Sequence, residues 1–312
     1  MKKLKKSLAL LLAMIMMVMC LVGCGEKEND KQSTENADVT QSTTYPLDIT
    51  DSYGNVVTLE KEPMKVVSCA PNITEMMYDL GAGDKLVGRS DYCDYPAEAL
   101  EVASVGAIDN PDLEMIIALE PDVVIATTFS EENIQKLKDV GIPVIVLKEE
   151  TTLDGVYVML TDMGLILNKN QEAASCISDM KQTIADVQTT IEGLDKPTVY
   201  YVVGYGEYGD YTAGGDTFTG EMLSLAGGEN IAKDISGWSI TLEEIIEKDP
   251  DIIIISEYMK DDFVSSPNYS ELTAVKNGQV YSMDVNMLER QGYRNAQGIR
   301  ELAEIFYPEA FE

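Results

Sequence analysis

Asp112-Leu113-Glu114-Met115-Ile116-Ile117-Ala118-Leu119-Glu120-Pro121-Asp122-Val123-Val124-Ile125 is echoed by Thr241-Leu242-Glu243-Glu244-Ile245-Ile246-Glu247-Lys248-Asp249-Pro250-Asp251-Ile252-Ile253-Ile254, with Glu114 and Glu243 standing 129 positions apart. In each copy a Leu and two Ile fall at i, i+3 and i+4, the spacing of one apolar helix face, and the glutamate sits one residue past the Leu, off that stripe. Proline lacks an N–H and biases the residue before it away from αR, so the Pro-Asp pair ends each helix. The all-aliphatic run that follows reads as a strand covered by helices on both faces. The expected fold class is therefore α/β: two parallel-sheet lobes, each displaying a carboxylate at an equivalent place.

Working outward, Leu47, Ile49, Val57 and Leu59 around Asp51-Ser52-Tyr53-Gly54-Asn55 read as a β-hairpin. The strand Lys65 to Cys69 leads through Ala70-Pro71-Asn72 into a helix capped by Gly81. Strands at Leu86 to Gly88, Val123 to Ala126 and Pro143 to Leu147 alternate with helices, the pattern of a parallel sheet. Between about Asn168 and Gly193 neither Gly nor Pro interrupts Ile177, Met180, Ile184, Val187 and Ile191, which repeat by three and four. The spacing predicts one long helix joining the lobes, a bridge that resists hinge closure. Lobe two opens with the strand Thr198 to Val203 and repeats the order, and the chain closes with a helix from about Asn295 to Phe306. The expected organisation is a signal peptide over 1–23, a tether over 24–45, lobe one over 46–166, the linker helix over 167–195 and lobe two over 196–312.

The N-terminus supplies an address. Lys2, Lys3, Lys5 and Lys6 precede an apolar run from Leu8 to Val22, too short for the ~20 residues of a spanning helix. The run stops at Leu21-Val22-Gly23-Cys24, which reads as a lipobox whose thiol at Cys24 takes up the lipid. A polar tether follows, so the body is expected to be held at the extracytoplasmic face of the cell membrane.

Residues 1–23 carry four of the 23 basic residues and none of the 54 acids, so the processed chain would hold 19 basic residues against 54 acidic, a formal charge of −35. Nucleic acid is a poor partner for such a surface. Histidine is absent, which removes Ser-His-Asp and Cys-His catalysis and His-rich zinc clusters. Cys69 and Cys93 each follow a strand of lobe one, either close enough to bond or packed as free thiols with Cys176.

Gly204-Tyr205-Gly206-Glu207-Tyr208-Gly209 fits G-x-G-x-x-G after a strand, yet Glu207 and Asp210 would repel a pyrophosphate and a second loop intervenes before the next helix. A Gly-Tyr loop lining a cleft fits better. The chain has 16 tyrosines and 5 phenylalanines, with Tyr92 and Tyr95 in loops of lobe one, Tyr205, Tyr208 and Tyr211 in lobe two, and the sole tryptophan, Trp238, ahead of the second repeat helix. In open α/β sheets ligands sit beyond the carboxyl ends of the strands, and such rings suit a large, rigid, partly polar ligand. Arg290 and Arg294 either meet a ligand anion or pair locally with Glu289 or Glu301.

Residues 46 to 310 resemble the helical-backbone substrate-binding proteins of ABC importers for iron chelates, haem and vitamin B12. The resemblance is carried by the hairpin from Asp51, by Val67-Ser68-Cys69-Ala70-Pro71-Asn72-Ile73-Thr74-Glu75, by Ser90-Asp91-Tyr92-Cys93-Asp94-Tyr95-Pro96 and by both repeat helices. It implies that Glu114 and Glu243 dock into a dimeric permease served by an ATPase, and that Tyr92 and Trp238 contact ligand. It also implies a monomer with no enzyme activity, no cofactor of its own and no resident metal, the ligand being a preformed metal chelate. The hairpin is more typical of siderophore binders, and the further tryptophans expected around a corrin are missing. Without histidine, haem could be held only by Tyr or Met. A corrinoid is favoured, then a ferric siderophore, then haem; the zinc and manganese branch is excluded. A tethered ligand sensor and an extracellular hydrolase with paired carboxylates are the readings from other classes.

Overall fold

A computed structural model describes residues 42–312, so the expected signal peptide, Cys24 and most of the expected tether lie outside the described residues. The tether's far end is shorter than expected. Thr43 donates its N–H to Asn168 Oδ1 (2.8 Å) and its hydroxyl to Leu165 O (2.9 Å), and the Tyr45 hydroxyl donates to Ile166 O (3.1 Å).

The hairpin forms from β1 (Leu47–Thr50) and β2 (Val56–Leu59), antiparallel, its Asp51 carboxylate accepting the N–H groups of Tyr53 and Asn55. Lobe one is a parallel sheet of β3 (Val66–Ser68), β4 (Leu86–Arg89), β5 (Val123–Ala126) and β6 (Val144–Val146), in spatial order β4-β3-β5-β6. Lobe two opens with β7 (Thr198–Val202), followed by the two-stranded ribbon of β8 (Asp210–Tyr211) and β10 (Ser239–Ile240). Its parallel sheet adds β9 (Glu229–Asn230), β11 (Ile252–Ser256) and β12 (Val280–Met283) in the order β9-β7-β11-β12. Counting strands within each sheet, both lobes read second, first, third, fourth. The sequence echo is an echo of topology.

The repeat explains how each lobe is fastened. The helices Leu113–Leu119 and Leu242–Lys248 are N-capped by Asp112 and Thr241 and end on Glu120 (φ 49°) and Asp249 (φ 37°). Left-handed backbone at a residue other than glycine is costly. Here the following Pro disfavours the right-handed alternative, and the turn aims the next aspartate at the start of the lobe's first strand. Asp122 Oδ2 accepts from the N–H groups of Met64 and Lys65, and Asp251 Oδ2 accepts from the N–H and hydroxyl of Thr198. One apolar position departs from expectation: Ile116 and Ile245 are fully buried, but Ile117 and Ile246 are 39% and 53% exposed. Each helix is seven residues long and buries a narrow stripe, so its second isoleucine faces water beside the exposed glutamate three residues earlier.

The bridge forms as the helix Asn170–Thr190, about 32 Å long at ~1.5 Å per residue. It packs on Leu153–Leu167 from lobe one and on the C-terminal helix Asn295–Phe306. One apolar cluster runs through Val123 and Ile125 of β5, Met180, Ile184 and Val187 of the bridge, and Val199, Tyr201, Ile252 and Ile254 of lobe two. Alternate residues on the same strands, Val124 and Ala126 or Tyr200, Ile253 and Ile255, face the outer cluster of each lobe. Strands buried on both faces require the aliphatic runs that the sequence shows.

Cys69, Cys93 and Cys176 are free buried thiols. Cys93 Sγ lies 3.1 Å from the hydroxyls of both Thr74 and Ser90, and burial, then neighbouring Cys93, pushes the Cys69 thiol up to about 12.

Candidate functional site

The carboxyl ends of the strands open onto a cleft of about 650 Å3, within the range of small-molecule sites. Lobe one contributes Glu149, Glu150 and Thr151, beginning three residues past the end of β6; lobe two contributes Val203, Asp216, Thr217, Phe218, Thr219, Gly237 and Trp238; Glu289, at the end of the short helix Asn286–Glu289, and Gln291 precede the C-terminal helix. A groove of about 730 Å3 lies elsewhere, on the flank of lobe one between the hairpin and the helix Glu131–Asp139. It is larger, but it involves one lobe only and reaches Pro121 and Asp122 at the amino end of β5, so the cleft is the better candidate.

Trp238 lies in the cleft wall and is 45% exposed. The β8–β10 ribbon holds it: Thr212 donates its N–H to Trp238 O (2.8 Å), and Tyr211 pairs with Ser239. Asp216 braces the same turn by accepting the N–H of Gly237 (2.7 Å) and the hydroxyl of Ser236 (2.5 Å), and these bonds hold its carboxyl below the usual range. Gly204 to Gly209 turns back into β8 and opens no helix, so the nucleotide motif lacks the helix N-terminus that it needs.

The tyrosines divide. Tyr92 and Tyr95 are exposed on the loop after β4; Arg290 Nη2 donates to Tyr92 O (3.4 Å), and neither ring is among the cleft lining. Tyr205, expected at the ligand, instead turns inward: its ring meets Phe263 and Tyr269 edge-on at 5.0 and 5.4 Å, and its hydroxyl lies 3.4 Å from Met259 O. Tyr208 is 88% exposed at the loop tip, where its carbonyl accepts the Tyr211 hydroxyl; neither ring lines the cleft. Glycines on either side of Tyr205 free the backbone to bury it, and ring counting carries no information about direction.

Arg290 and Arg294 also depart from expectation. Neither pairs with Glu289 or Glu301. Both reach Glu75, on the lobe-one helix Pro71–Asp79, which is 4% exposed. Arg294 donates Nε to Glu75 Oε2 (2.8 Å) and Nη2 to Oε1 (2.9 Å), while Arg290 Nη1 donates to the same Oε1 at 3.0 Å. Asp94 takes Arg290 Nη1 at 2.6 Å, Asp284 takes Arg294 Nη1 at 2.9 Å, and the Arg294 guanidinium lies 4.0 Å from the centre of the Tyr95 ring. Charge-assisted bidentate bonds of this kind are the strong ones. Beside them, Gln291 exchanges two bonds with the Glu150 backbone (2.7 and 2.5 Å), and Glu221 of lobe two accepts the N–H of Leu153 (2.7 Å) at the start of a lobe-one helix. The cleft floor is thus a polar seam between lobes, with the apolar cluster beneath it.

One turn past Glu75, Asp79 has a buried Oδ2 with no hydrogen-bond partner. Burial, then the charge of Glu75, pushes its carboxyl from 3.8 up to about 7. A carboxyl that keeps its proton longer in the folded state stabilises the fold at low pH, and that contribution is lost as pH rises from about 4 to about 7. Asp79→Asn should therefore raise stability at pH 8 by about 1–2 kcal/mol, less than the full shift implies because part of the side chain stays in water, and change it little at pH 4. Equal melting-temperature gains at both pH values would rule this account out.

The missed cleft residues carried a readable signal. Glu149-Glu150-Thr151 lies just past the end of a strand, where α/β ligands gather. Thr217 caps the helix Phe218–Leu225 at the equivalent edge of lobe two.

A family model for the periplasmic binding proteins matches residues 66–286. The chain is 33% identical to an uncharacterized ABC transporter substrate-binding lipoprotein of Bacillus subtilis (strain 168), over 99% of both chains. Two solved structures share the fold. The periplasmic vitamin B12 binding protein of Vibrio cholerae is 26% identical with a TM-score of 0.67, covering 80% of this chain and 98% of that one. An ABC-type Fe3+-hydroxamate transport system structure from Saccharomonospora viridis is 25% identical with a TM-score of 0.69, covering 84% and 99%. With two like-wound lobes, a bridging helix and a cleft where their strands end, the chain belongs to the periplasmic binding protein family, as a substrate-binding protein of an ABC importer.

Proposed function

We propose that the chain is an extracytoplasmic solute-binding protein, lipid-anchored at Cys24, that captures a preformed metal chelate in the inter-lobe cleft and hands it to a permease dimer and its ATPase. A corrinoid is the favoured ligand. The observation that carries the reading is the cleft itself, with an indole in one wall and carboxylate and hydroxyl acceptors around it. An indole offers a flat apolar face to a macrocycle, and the acceptors suit its peripheral amides. Similarity to the vitamin B12 binding protein of Vibrio cholerae supports the choice. The hairpin and the likeness to the Fe3+-hydroxamate system favour a ferric siderophore as the second reading. In this role the protein acts as a monomer, without catalysis and without a cofactor of its own, since the metal arrives inside the ligand.

Delivery is assigned to Glu114 and Glu243, each exposed near the start of its repeat helix, with Ile117 and Ile246 as an apolar flank. A two-fold permease offers one pocket twice, which suits a pad presented twice.

Thermal shift with cobalamin, cobinamide, haem and ferric siderophores tests the ligand class, because a ligand that binds only the folded state stabilises it by mass action. Cobalamin should raise the melting temperature and quench most of the Trp238 emission. Trp238→Ala and Tyr92→Ala should each weaken binding by about 1–3 kcal/mol. If cobalamin binds without quenching and Trp238→Ala leaves its affinity intact, the cleft assignment is wrong.

A further inference from the structure

The charges around the cleft are one-sided. Glu149, Glu150, Asp216 and Glu289 are among its described lining residues, and none of those residues is Lys or Arg. Two guanidiniums stand at its edge, Arg290 between the lining residues Glu289 and Gln291, and Arg294 four residues further on, at the N-cap of the helix Asn295–Phe306. Buried Glu75 engages both of them, and Asp94 and Asp284 take further donors. Three carboxylates on two guanidiniums leave this cluster formally at −1.

An anionic chelate entering the cleft meets carboxylates and finds the nearby arginines occupied. To recruit them it must displace Glu75 and leave a buried carboxylate unpaired, which is strongly unfavourable. A neutral or cationic chelate carrying amide, hydroxyl or ammonium donors meets acceptors instead. We propose that Glu75 is a specificity-determining residue that acts through Arg290 and Arg294: by holding both, it closes the cleft to anionic chelates and leaves it selective for neutral or cationic ones. This rests on the cleft being the ligand site, and it divides the candidate ligands by charge, with corrinoids and ferric hydroxamates on one side and ferric catecholates and haem on the other.

The sole tryptophan allows a test that needs no ligand. Iodide, caesium and acrylamide quench an exposed indole by collision, and the charged quenchers are concentrated or depleted by the local field. With N-acetyltryptophanamide as reference, caesium should quench wild-type Trp238 at least threefold more effectively than iodide. Glu75→Gln, which keeps the shape and removes the charge, should lower that ratio about twofold; Glu75→Asp should retain it. If Glu75→Gln fails to fold, Asp94→Asn at an exposed carboxylate should move the ratio in the same direction. Equal quenching of the wild type by both ions, or a ratio unchanged by either variant in folded protein, overturns the proposal.

A second arm uses chelates of graded charge: ferric enterobactin (anionic), ferrichrome (neutral), ferrioxamine B (cationic) and cobalamin. Wild type should bind at least one neutral or cationic member, and Glu75→Gln should narrow its preference over the anionic chelate at least tenfold. Wild-type binding tightest to ferric enterobactin overturns the proposal. If no chelate binds while caesium quenching still dominates, the charge filter is supported and the chelate reading above is the one that fails.

Discussion

Uptake should be abolished by Glu114→Arg combined with Glu243→Arg, with ligand affinity unchanged. Both glutamates are exposed on the outer faces of short helices whose inward residues, Ile116 and Ile245, are fully buried, so the substitutions cost the fold little. They stand away from the cleft residues, so capture should be spared. Losing one partner of a buried, hydrogen-bonded interfacial charge pair costs about 2–5 kcal/mol, and reversal adds repulsion. With one pad per lobe, each single reversal should reduce transport by tenfold or more and the double should remove it. Ile117→Asp with Ile246→Asp should weaken docking further if those side chains bury against the permease. The check is vesicle uptake of labelled ligand beside equilibrium binding on the same variants. Normal uptake by the charge-reversed double mutant would falsify the docking role.

What could be read from the chain follows the range of the interaction involved. The Pro-Asp units, the doubly buried strands and the bridge from Asn170 to Thr190 are local patterns, set by backbone chemistry and periodicity within about twenty residues, and they appear in the structure as expected. The rule that ligands gather beyond strand ends, together with the family resemblance, points to the loop of Trp238, a residue of the cleft lining. The same rule applied to Glu149-Glu150-Thr151 would have found the opposite wall. Exposure of Ile117 and Ile246 was hidden because spacing identifies a stripe but not how much of a seven-residue helix its neighbours cover. The inward turn of Tyr205 is illegible for a related reason: the side-chain direction in a glycine-flanked loop depends on Phe263 and Tyr269, more than fifty residues away. The partner of Arg290 and Arg294 was the least legible feature. Glu75 precedes Arg290 by 215 residues and Arg294 by 219, and no local signal spans that interval.

That distance is also why Glu75→Ala should be the most destabilising single carboxylate removal in the inter-lobe seam. The carboxylate accepts three charge-assisted bonds from two arginines, and it joins a lobe-one helix to the loop that carries Glu289 and Gln291. Asp94 and Asp284 would remain, but both are exposed and each holds only one nitrogen of its arginine. Removing the buried partner therefore leaves two largely desolvated guanidiniums under-satisfied, a defect that costs about 3–5 kcal/mol. Against a domain stability of about 5–15 kcal/mol, that loss should lower the denaturation midpoint by about a fifth or more. Asp94→Ala, at an exposed pair, should cost no more than about 1 kcal/mol. Replacing Glu75, Arg290 and Arg294 together with Gln, Met and Met should recover much of the loss, because a seam without buried charge has none to leave unpaired. Urea denaturation of the four proteins separates these terms. A loss below about 1 kcal/mol for Glu75→Ala, or no recovery in the triple variant, would show that the apolar cluster beneath the cleft fixes the lobes without the ionic seam.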